Sequence, residues 1–278
     1  MSKDSTWGTS SVHEYLGKRT VDNSFAPLAR YLSAGVSVLD VGCGPGSITI
    51  DIAKRVDPGK VIGIDLEPAT IAKAESLRID LDVGNASFQT GDAYALEFAD
   101  DTFDITCFHA LMSYLCDPVL ALNQQKRVTK PGGHVIGWFG SWSDQIIYPP
   151  CRAFDRYLSA CAQLADRSDP SRYFHSTSAR EAFALFSQAG FDDIRVEGSA
   201  GPFDCVYFGS EFFEHTFEGY RSILQWDGSH AKFHEKLLSI GALDETTVLS
   251  AQKEIEAWHD NPHAFLLNTP VVVAAQIP

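Results

Sequence analysis

Three glycines at alternate positions, Gly42, Gly44 and Gly46, separate the apolar run Val36-Ser37-Val38-Leu39-Asp40-Val41 from the amphipathic stretch Ile48-Thr49-Ile50-Asp51-Ile52-Ala53. The first reads as a strand buried on both faces and the second as a helix. A glycine turn between them brings backbone N–H groups up to a ligand at a helix N-terminus, because no Cβ intervenes and φ is free to be positive. Asp65 closes a second run, Lys60-Val61-Ile62-Gly63-Ile64. It lies about twenty residues past the turn, the interval expected of a carboxylate that binds a ribose. Its two ionised oxygens are able to accept from two adjacent hydroxyls. The competing role is that of N-cap for a helix at Pro68-Ala69-Thr70-Ile71, but Leu66 and Glu67 stand between. His109 closes a fourth run and carries an imidazole, which titrates near neutral pH.

These groups meet only if strands and helices alternate. A third strand, Ala86–Gln89, ends at Thr90-Gly91-Asp92-Ala93, and a fourth runs to His109. Asp117 and Pro118 open a helix as N-cap and first residue, and Lys130-Pro131-Gly132-Gly133 provides a glycine stop. A fifth strand, His134–Phe139, follows. The next sheet-covering helix spans 179–190 with Ala182, Phe183, Leu185, Phe186 and Ala189 inward, then come strands over 193–197 and 268–275. Asn23 to Leu32 reads as a further helix ahead of the first strand. Alternation implies a parallel, doubly wound α/β sheet with ligands at the carboxyl ends of its strands. Gly42, Asp65, Asp92 and His109 all fall at such ends. Residues 198–267 are too long for a bare loop, helical in pattern and rich in aromatics: Phe203, Tyr207, Phe208, Phe212, Phe213, Phe217, Tyr220 and Trp226. They read as a helical insertion, either with its own core or with aromatics turned toward an apolar ligand.

The compressed Gly-x-Gly-x-Gly spacing and the acidic Asp40 depart from the dinucleotide pattern. Taken in order, Leu39-Asp40-Val41-Gly42-Cys43-Gly44-Pro45-Gly46, Gly63-Ile64-Asp65, Gly91-Asp92-Ala93, Phe103-Asp104 and Arg127-Val128-Thr129-Lys130-Pro131-Gly132-Gly133 resemble the class I S-adenosylmethionine-dependent methyltransferases. The likeness is to the ubiquinone/menaquinone C-methyltransferase-like, small-molecule group. Arg19-Thr20-Val21-Asp22-Asn23-Ser24 is similar to the lead-in helix of such members. The resemblance implies a Rossmann-like methyltransferase sheet with an antiparallel last strand. It divides the chain into N-terminal lid helices (1–35), a cofactor-binding core (36–197 with 268–278) and a helical cap over the acceptor (198–267). It implies that Asp40, Gly42, Gly44 and Gly46 carry the amino-acid end of S-adenosylmethionine and that Asp65 and Leu66 meet the ribose side. Asp92 accepts from the exocyclic amine of adenine, and the Ala93 N–H donates to the ring. Tyr15 and Arg19 close over the methionine end, while His109 lies beside the cofactor and is the candidate base. His175 and His215 fall near the cap. Phe108-His109-Ala110-Leu111 stands where enzymes methylating amino groups of bases or glutamine place a carboxylate or amide, two prolines and an aromatic.

Composition limits the partners. The 278 residues are 45% hydrophobic and 21% charged, with 22 Lys+Arg against 36 Asp+Glu, a net charge of −14. Such a surface repels phosphate backbones and anionic lipids, which argues against nucleic acid and membrane partners. The N-terminus shows no apolar signal segment, so a cytoplasmic protein is expected. No pair of the six cysteines has Cys-x-x-Cys spacing, and no metal site is expected. Cys43 reads as a small residue that fits the turn, not as a nucleophile. The implied function is methylation, at O, N or C, of a small apolar or aromatic acceptor, as in secondary metabolism. The alternative is a cyclisation or epimerisation on the same cofactor-binding fold. A non-catalytic partner subunit and a nicotinamide dehydrogenase fit the motifs less well. Neither the acceptor nor the oligomeric state is legible.

Overall fold

The computed structural model describes residues 17–140, 145–163, 178–199, 205–207, 235, 237–261, 263–267 and 269–278. Its first helix, α1 (Val21–Ser24), opens on a reciprocal cap: Thr20 Oγ1 accepts from the Asn23 N–H at 3.2 Å, and Asn23 Oδ1 from the Thr20 N–H at 2.7 Å. The expected single helix from Asn23 to Leu32 is broken. Pro27 has no N–H to donate, and Ala26–Tyr31 continues as a 3₁₀ turn. In chain order there follow β1 (Val38–Val41), α2 (Ser47–Val56), β2 (Val61–Asp65), α3 (Pro68–Asp80), β3 (Ala86–Thr90), β4 (Phe103–His109), α4 (Pro118–Val128) and β5 (Thr129–Phe139). Beyond these come β6 (Ile146–Tyr148), α5 (Arg152–Gln163), α6 (Ser178–Gln188), β7 (Ile194–Gly198), β8 (Cys205–Tyr207), α7 (Glu245–His259), β9 (Phe265–Leu267) and β10 (Val271–Gln276).

Seven strands form one sheet in the order β3-β2-β1-β4-β5-β10-β7. β1 lies between β2 and β4, with Asp40 opposite Gly63 on β2 and Cys107 on β4, all three strands parallel. β10 runs antiparallel between β5 and β7, the antiparallel last strand expected from the sequence. Alternate side chains serve opposite faces. Val38, Ile105, Cys107, Ile136, Trp138, Val272 and Ala274 pack with α2 and with Val21, Phe25 and Leu28 of the N-terminal stretch. Phe108, Val135, Phe139, Val273 and Ala275 pack with α4 and α6 on the other face.

Three further expectations change. The glycine stop after α4 is displaced: α4 ends at Val128, where the Thr129 hydroxyl donates to the Gln125 carbonyl at 2.7 Å. Residues 130–133 lie inside β5, held there by reciprocal 2.8 Å bonds between Gly132 N–H and Ile277 carbonyl and between Ile277 N–H and Gly133 carbonyl. Phe183 is 55% exposed, because the buried stripe of α6 is Ala182, Leu185, Phe186 and Ala189, spaced i, i+3, i+4, i+7. The insertion is not wholly helical. Its strands β8 and β9 join β6 in an antiparallel sheet of order β6-β9-β8. Ile147 of this small sheet packs on a separate core between α5 and α7, built on Phe154, Tyr157, Ile255 and Trp258. Among the insertion's aromatics, Phe203, Phe208, Phe212, Phe213, Phe217, Tyr220 and Trp226 lie outside the described residues. Among the described residues no helix is long and apolar enough to cross a membrane.

Among the described glycines, the one with least room for a side chain lies between β4 and β5. Phe108 is paired with Gly137, and a Cβ on Gly137 would stand 1.9 Å from Phe108 Cζ. Gly137→Ala is expected to destabilise the protein by about 1–3 kcal/mol through overpacking. Urea unfolding measures this, and a loss below about 0.5 kcal/mol would show that the ring does not need a bare backbone beneath it.

Candidate functional site

Four strand ends bring the candidate groups to one edge of the sheet. The turn from β1 into α2 is left-handed at alternate residues, with φ of +75° at Gly42, +56° at Gly44 and +85° at Gly46. Two of these glycines are fixed by packing. A Cβ on Gly42 would lie 2.9 Å from Leu111 Cδ1, and one on Gly46 would lie 2.7 Å from Phe88 Cζ and 2.8 Å from the Ala74 Cβ. At Gly44 a Cβ would meet nothing within 4 Å, so this residue faces open space.

The backbone donors of the turn are already spent, contrary to the expectation that they would be offered to a ligand. Gly42 and Cys43 N–H donate to the Ile64 carbonyl at 2.8 and 2.9 Å, and Gly46 N–H to the Cys43 carbonyl at 3.1 Å. Gly44 N–H donates to Asp65 Oδ2 at 3.1 Å. Asp65 Oδ1 accepts from the Glu67 N–H at 3.0 Å, while Glu67 itself occupies the N-cap of α3. Each Asp65 oxygen keeps lone-pair capacity for a further donor. Burial raises the Asp65 pKa, against the two N–H bonds from Glu67 and Gly44.

Asp40 lies one layer deeper. It is 3% exposed, and its Oδ2 accepts from the wholly buried Thr49 hydroxyl at 2.6 Å. Burial pushes its pKa up to about 6, the Thr49 bond acts downward and the Asp65 charge acts upward. Cys43 and Cys107 share this region, and burial beside the Asp40 charge holds both thiols well above the ordinary value.

Asp92 is exposed on the loop after β3, its Oδ1 accepting from the Tyr94 N–H at 2.8 Å. Arg127 fastens the far side of that loop by donating to the Leu96 and Phe98 carbonyls, each at 2.8 Å. Ala93 is partly buried, and Leu66 is 54% exposed beside Asp65. His109 closes β4. Its ring stacks on Trp138 at 4.2 Å and meets the Phe25 ring edge-on at 5.7 Å. Its Nε2 lies 3.2 Å from the Ser24 carbonyl, an acceptor only, so the ring proton belongs on Nε2. Burial depresses the imidazole pKa well below its usual value, and the Arg19 charge acts in the same direction. Ala110 next to it is left-handed at φ +61°, its N–H bonded to the Trp138 carbonyl at 3.0 Å. Arg19 therefore reaches the β4 end of this edge electrostatically. Tyr15, His175 and His215 lie outside the described residues.

Residues 32–142 match the family described as methyltransferase domain. Over that stretch the chain carries a methyltransferase-like sequence. An uncharacterized methyltransferase of Schizosaccharomyces pombe is 36% identical over 176 residues, 59% of this chain and 63% of that protein. The chain thus spans less than two thirds of that relative. A demethylmenaquinone methyltransferase of Lactiplantibacillus plantarum is 28% identical over 179 residues, 60% of this chain and 75% of that one. Among solved structures, phosphoethanolamine N-methyltransferase 2 of Haemonchus contortus, in complex with phosphomonomethylethanolamine and S-adenosylhomocysteine, superposes with a TM-score of 0.59. At 18% identity, covering 98% of this chain and 58% of that one, it is a likeness of fold.

Around this edge the sequence motifs left out Thr49, Phe88, Leu111 and Trp138. Thr49 had a signal: it is an alcohol on the apolar stripe shared with Ile52, Ala53 and Val56. The others read as ordinary core residues, and only the glycines opposite them betray their positions. The thiol environments give a direct check. Cys116 is exposed, whereas Cys43 is partly buried and Cys107 buried. With iodoacetamide near pH 8, Cys116 should alkylate at least about tenfold faster than Cys43 or Cys107 in the folded protein. Peptide mass spectrometry reads the order, and a Cys43 as fast as Cys116 would contradict the negative surroundings described for the turn.

Proposed function

We propose that this chain is an S-adenosylmethionine-dependent methyltransferase acting on a small apolar or aromatic acceptor. The observation that supports it most is the electrostatic character of the turn. Its N–H donors are spent on protein oxygens, and Asp40 and Asp65 lie under and beside it. The N–H groups of Gly42, Cys43, Gly44 and Gly46 are thus not offered to a pyrophosphate, and the two carboxylates suit a ligand that carries positive charge.

The residues present fit that cofactor. Gly44 leaves space for the amino-acid end, and the spare lone pairs of Asp65 accept from the two ribose hydroxyls. Leu66 covers an apolar ring face, Asp92 Oδ2 takes the exocyclic amine, and the Ala93 N–H meets the ring. Arg19, with Tyr15 ahead of it, closes over the carboxylate end from the amino side of Thr20. When bound, S-adenosylmethionine supplies a sulfonium methyl group that is already a strong electrophile. The protein's part is then to align the acceptor and exclude water.

His109 was the sequence candidate for the base. A general base works best with a pKa near the working pH, and this ring is partly buried, its pKa is depressed, and it is bonded through Nε2 to the Ser24 carbonyl. We read it as the packing partner that holds the N-terminal stretch and Trp138 at the crevice. The small sheet supports the apolar acceptor. In sequence β6 and β8 follow the carboxyl ends of β5 and β7 and β9 leads into β10, and Ile146, Tyr148 and Phe265 are 51%, 52% and 36% exposed. Tyr148 and Phe265 stack at 5.9 Å.

Asp65→Ala should weaken S-adenosylmethionine binding at least about tenfold by calorimetry, through loss of hydrogen bonds to a charged acceptor. Unchanged affinity in the folded variant sinks the cofactor assignment. Release of S-adenosylhomocysteine during turnover separates methylation from a cyclisation or epimerisation on the same fold. For His109→Ala, turnover at saturation should fall by less than about fivefold while binding weakens. A loss of about 100-fold or more in turnover alone would make it the base after all.

A further inference from the structure

The role of the deepest charged group in the site is set by a residue that touches no ligand. Asp40 stands mid-sheet, flanked in register by Gly63 and Cys107 and roofed by α2. At 3% exposure it has given up nearly all its hydration, and a buried carboxylate stays charged only if its oxygens are bonded or a cation is near. The groups facing it are Asp65 from the end of β2, Cys43 from the turn and Cys107 from β4. None of them is a cation. Of the two basic side chains of α2, Lys54 is exposed, and Arg55 is engaged with Asp22 at 2.9 Å and Asp51 at 3.2 Å. The Thr49 hydroxyl, wholly buried and 2.6 Å away, is the group that favours the ionised form.

We propose that Thr49 is a positioning residue for a cationic ligand, its hydroxyl holding the Asp40 carboxylate ionised beneath the glycine turn. The inference rests on reading the turn as the S-adenosylmethionine site, where the ligand brings an ammonium and a sulfonium to a place whose N–H donors are spent. An ionised Asp40 supplies the opposing charge there, and a protonated one does not. Burial sets the titration of Asp40 near pH 6, so the pair works close to its limit at neutral pH. Removing the hydroxyl while keeping the shape should carry that titration into the neutral range.

The test is S-adenosylmethionine affinity by calorimetry from about pH 5 to about pH 8.5 for the native protein, Thr49→Val and Thr49→Ser. The native affinity should fall as pH drops through about 6. In Thr49→Val the fall should begin at higher pH, leaving affinity at pH 7 at least about threefold weaker and nearly native at the alkaline end. Thr49→Ser should restore the native profile. A loss of equal size at every pH, or no loss, overturns the proposal.

Melting midpoints of the same three proteins give a readout without ligand. The folded pKa of Asp40 lies above its unfolded value, so its ionisation costs stability as pH rises from about 4 through about 6. Loss of the hydroxyl raises the folded pKa further. The Thr49→Val deficit should therefore be constant below about pH 5 and grow as pH rises from about 6 to the variant's own higher pKa. A deficit independent of pH overturns the role of Thr49. If the native protein binds no S-adenosylmethionine at any pH, the cofactor reading fails, and the melting profiles still decide whether Thr49 keeps Asp40 ionised.

Discussion

Left-handed backbone at three alternate residues is the constraint on which the rest of this fold depends. A non-glycine residue in that conformation costs about 1–2 kcal/mol, and at Gly46 a side chain would also strike Phe88 and Ala74. Phe88 is the other half of the arrangement. Its ring lies over Gly63 as well, where a Cβ would come within 2.7 Å of Cδ1. One aromatic ring from β3 thus packs against the turn after β1, the middle of β2 and, through Gly46, the start of α2. The same glycines that shape the crevice wall allow three strands and two helices to close on one another behind it. Stability and site geometry are not separable here.

The second consequence is electrostatic. Each N–H that turns inward to bond Ile64, Cys43 or Asp65 stabilises the turn and removes a donor from the ligand side. The carboxylates of Asp40 and Asp65 lie beside the turn so formed. At the β4 end the balance reverses, because Arg19 acts on both His109 and Tyr114. The edge therefore runs from negative at the glycine turn to positive beside β4. A zwitterionic ligand end has one orientation that satisfies this gradient, and it places the ammonium on the Asp40 side.

The sequence made the frame legible because its signals are local. Alternating apolar runs, the Gly-x-Gly-x-Gly turn and strand-ending carboxylates each depend on neighbours within a few residues, and Asp65 and Asp92 fall at strand ends as their positions imply. Errors arose where tertiary packing overrode local chemistry. Gly132 and Gly133 look like a helix stop, yet the ladder to Ile277 draws them into β5. The direction of the turn's N–H groups was not legible at all, since it depends on where the Ile64 carbonyl ends up. Nor was the fate of His109: an imidazole at a strand end signals chemistry, and only the neighbouring Trp138, Phe25 and Ser24 make it a packed ring. The insertion misled by composition, for aromatics suit helices and strands alike.

The N-terminal stretch divides at Thr20. From there to Tyr31 it behaves as core and not as lid. Val21 and Leu28 are wholly buried and Phe25 is 1% exposed, and burying such side chains contributes about 1.5–3 kcal/mol each. The ion pairs along it, Arg55 to Asp22 and the two-pronged Arg30 to Glu197, lie at the surface, where a pair is worth about 0–1 kcal/mol. They fix direction more than they add stability. The bond from the Val21 N–H to Asp51 at 2.7 Å and the reciprocal Thr20–Asn23 cap set the point at which the chain leaves the sheet. Swinging the whole stretch aside would uncover the face of β4 and β5 that carries Cys107, Ile136 and Trp138. On the proposed reading, Ser24 and Phe25 therefore belong to the fixed wall of the crevice, packed against His109.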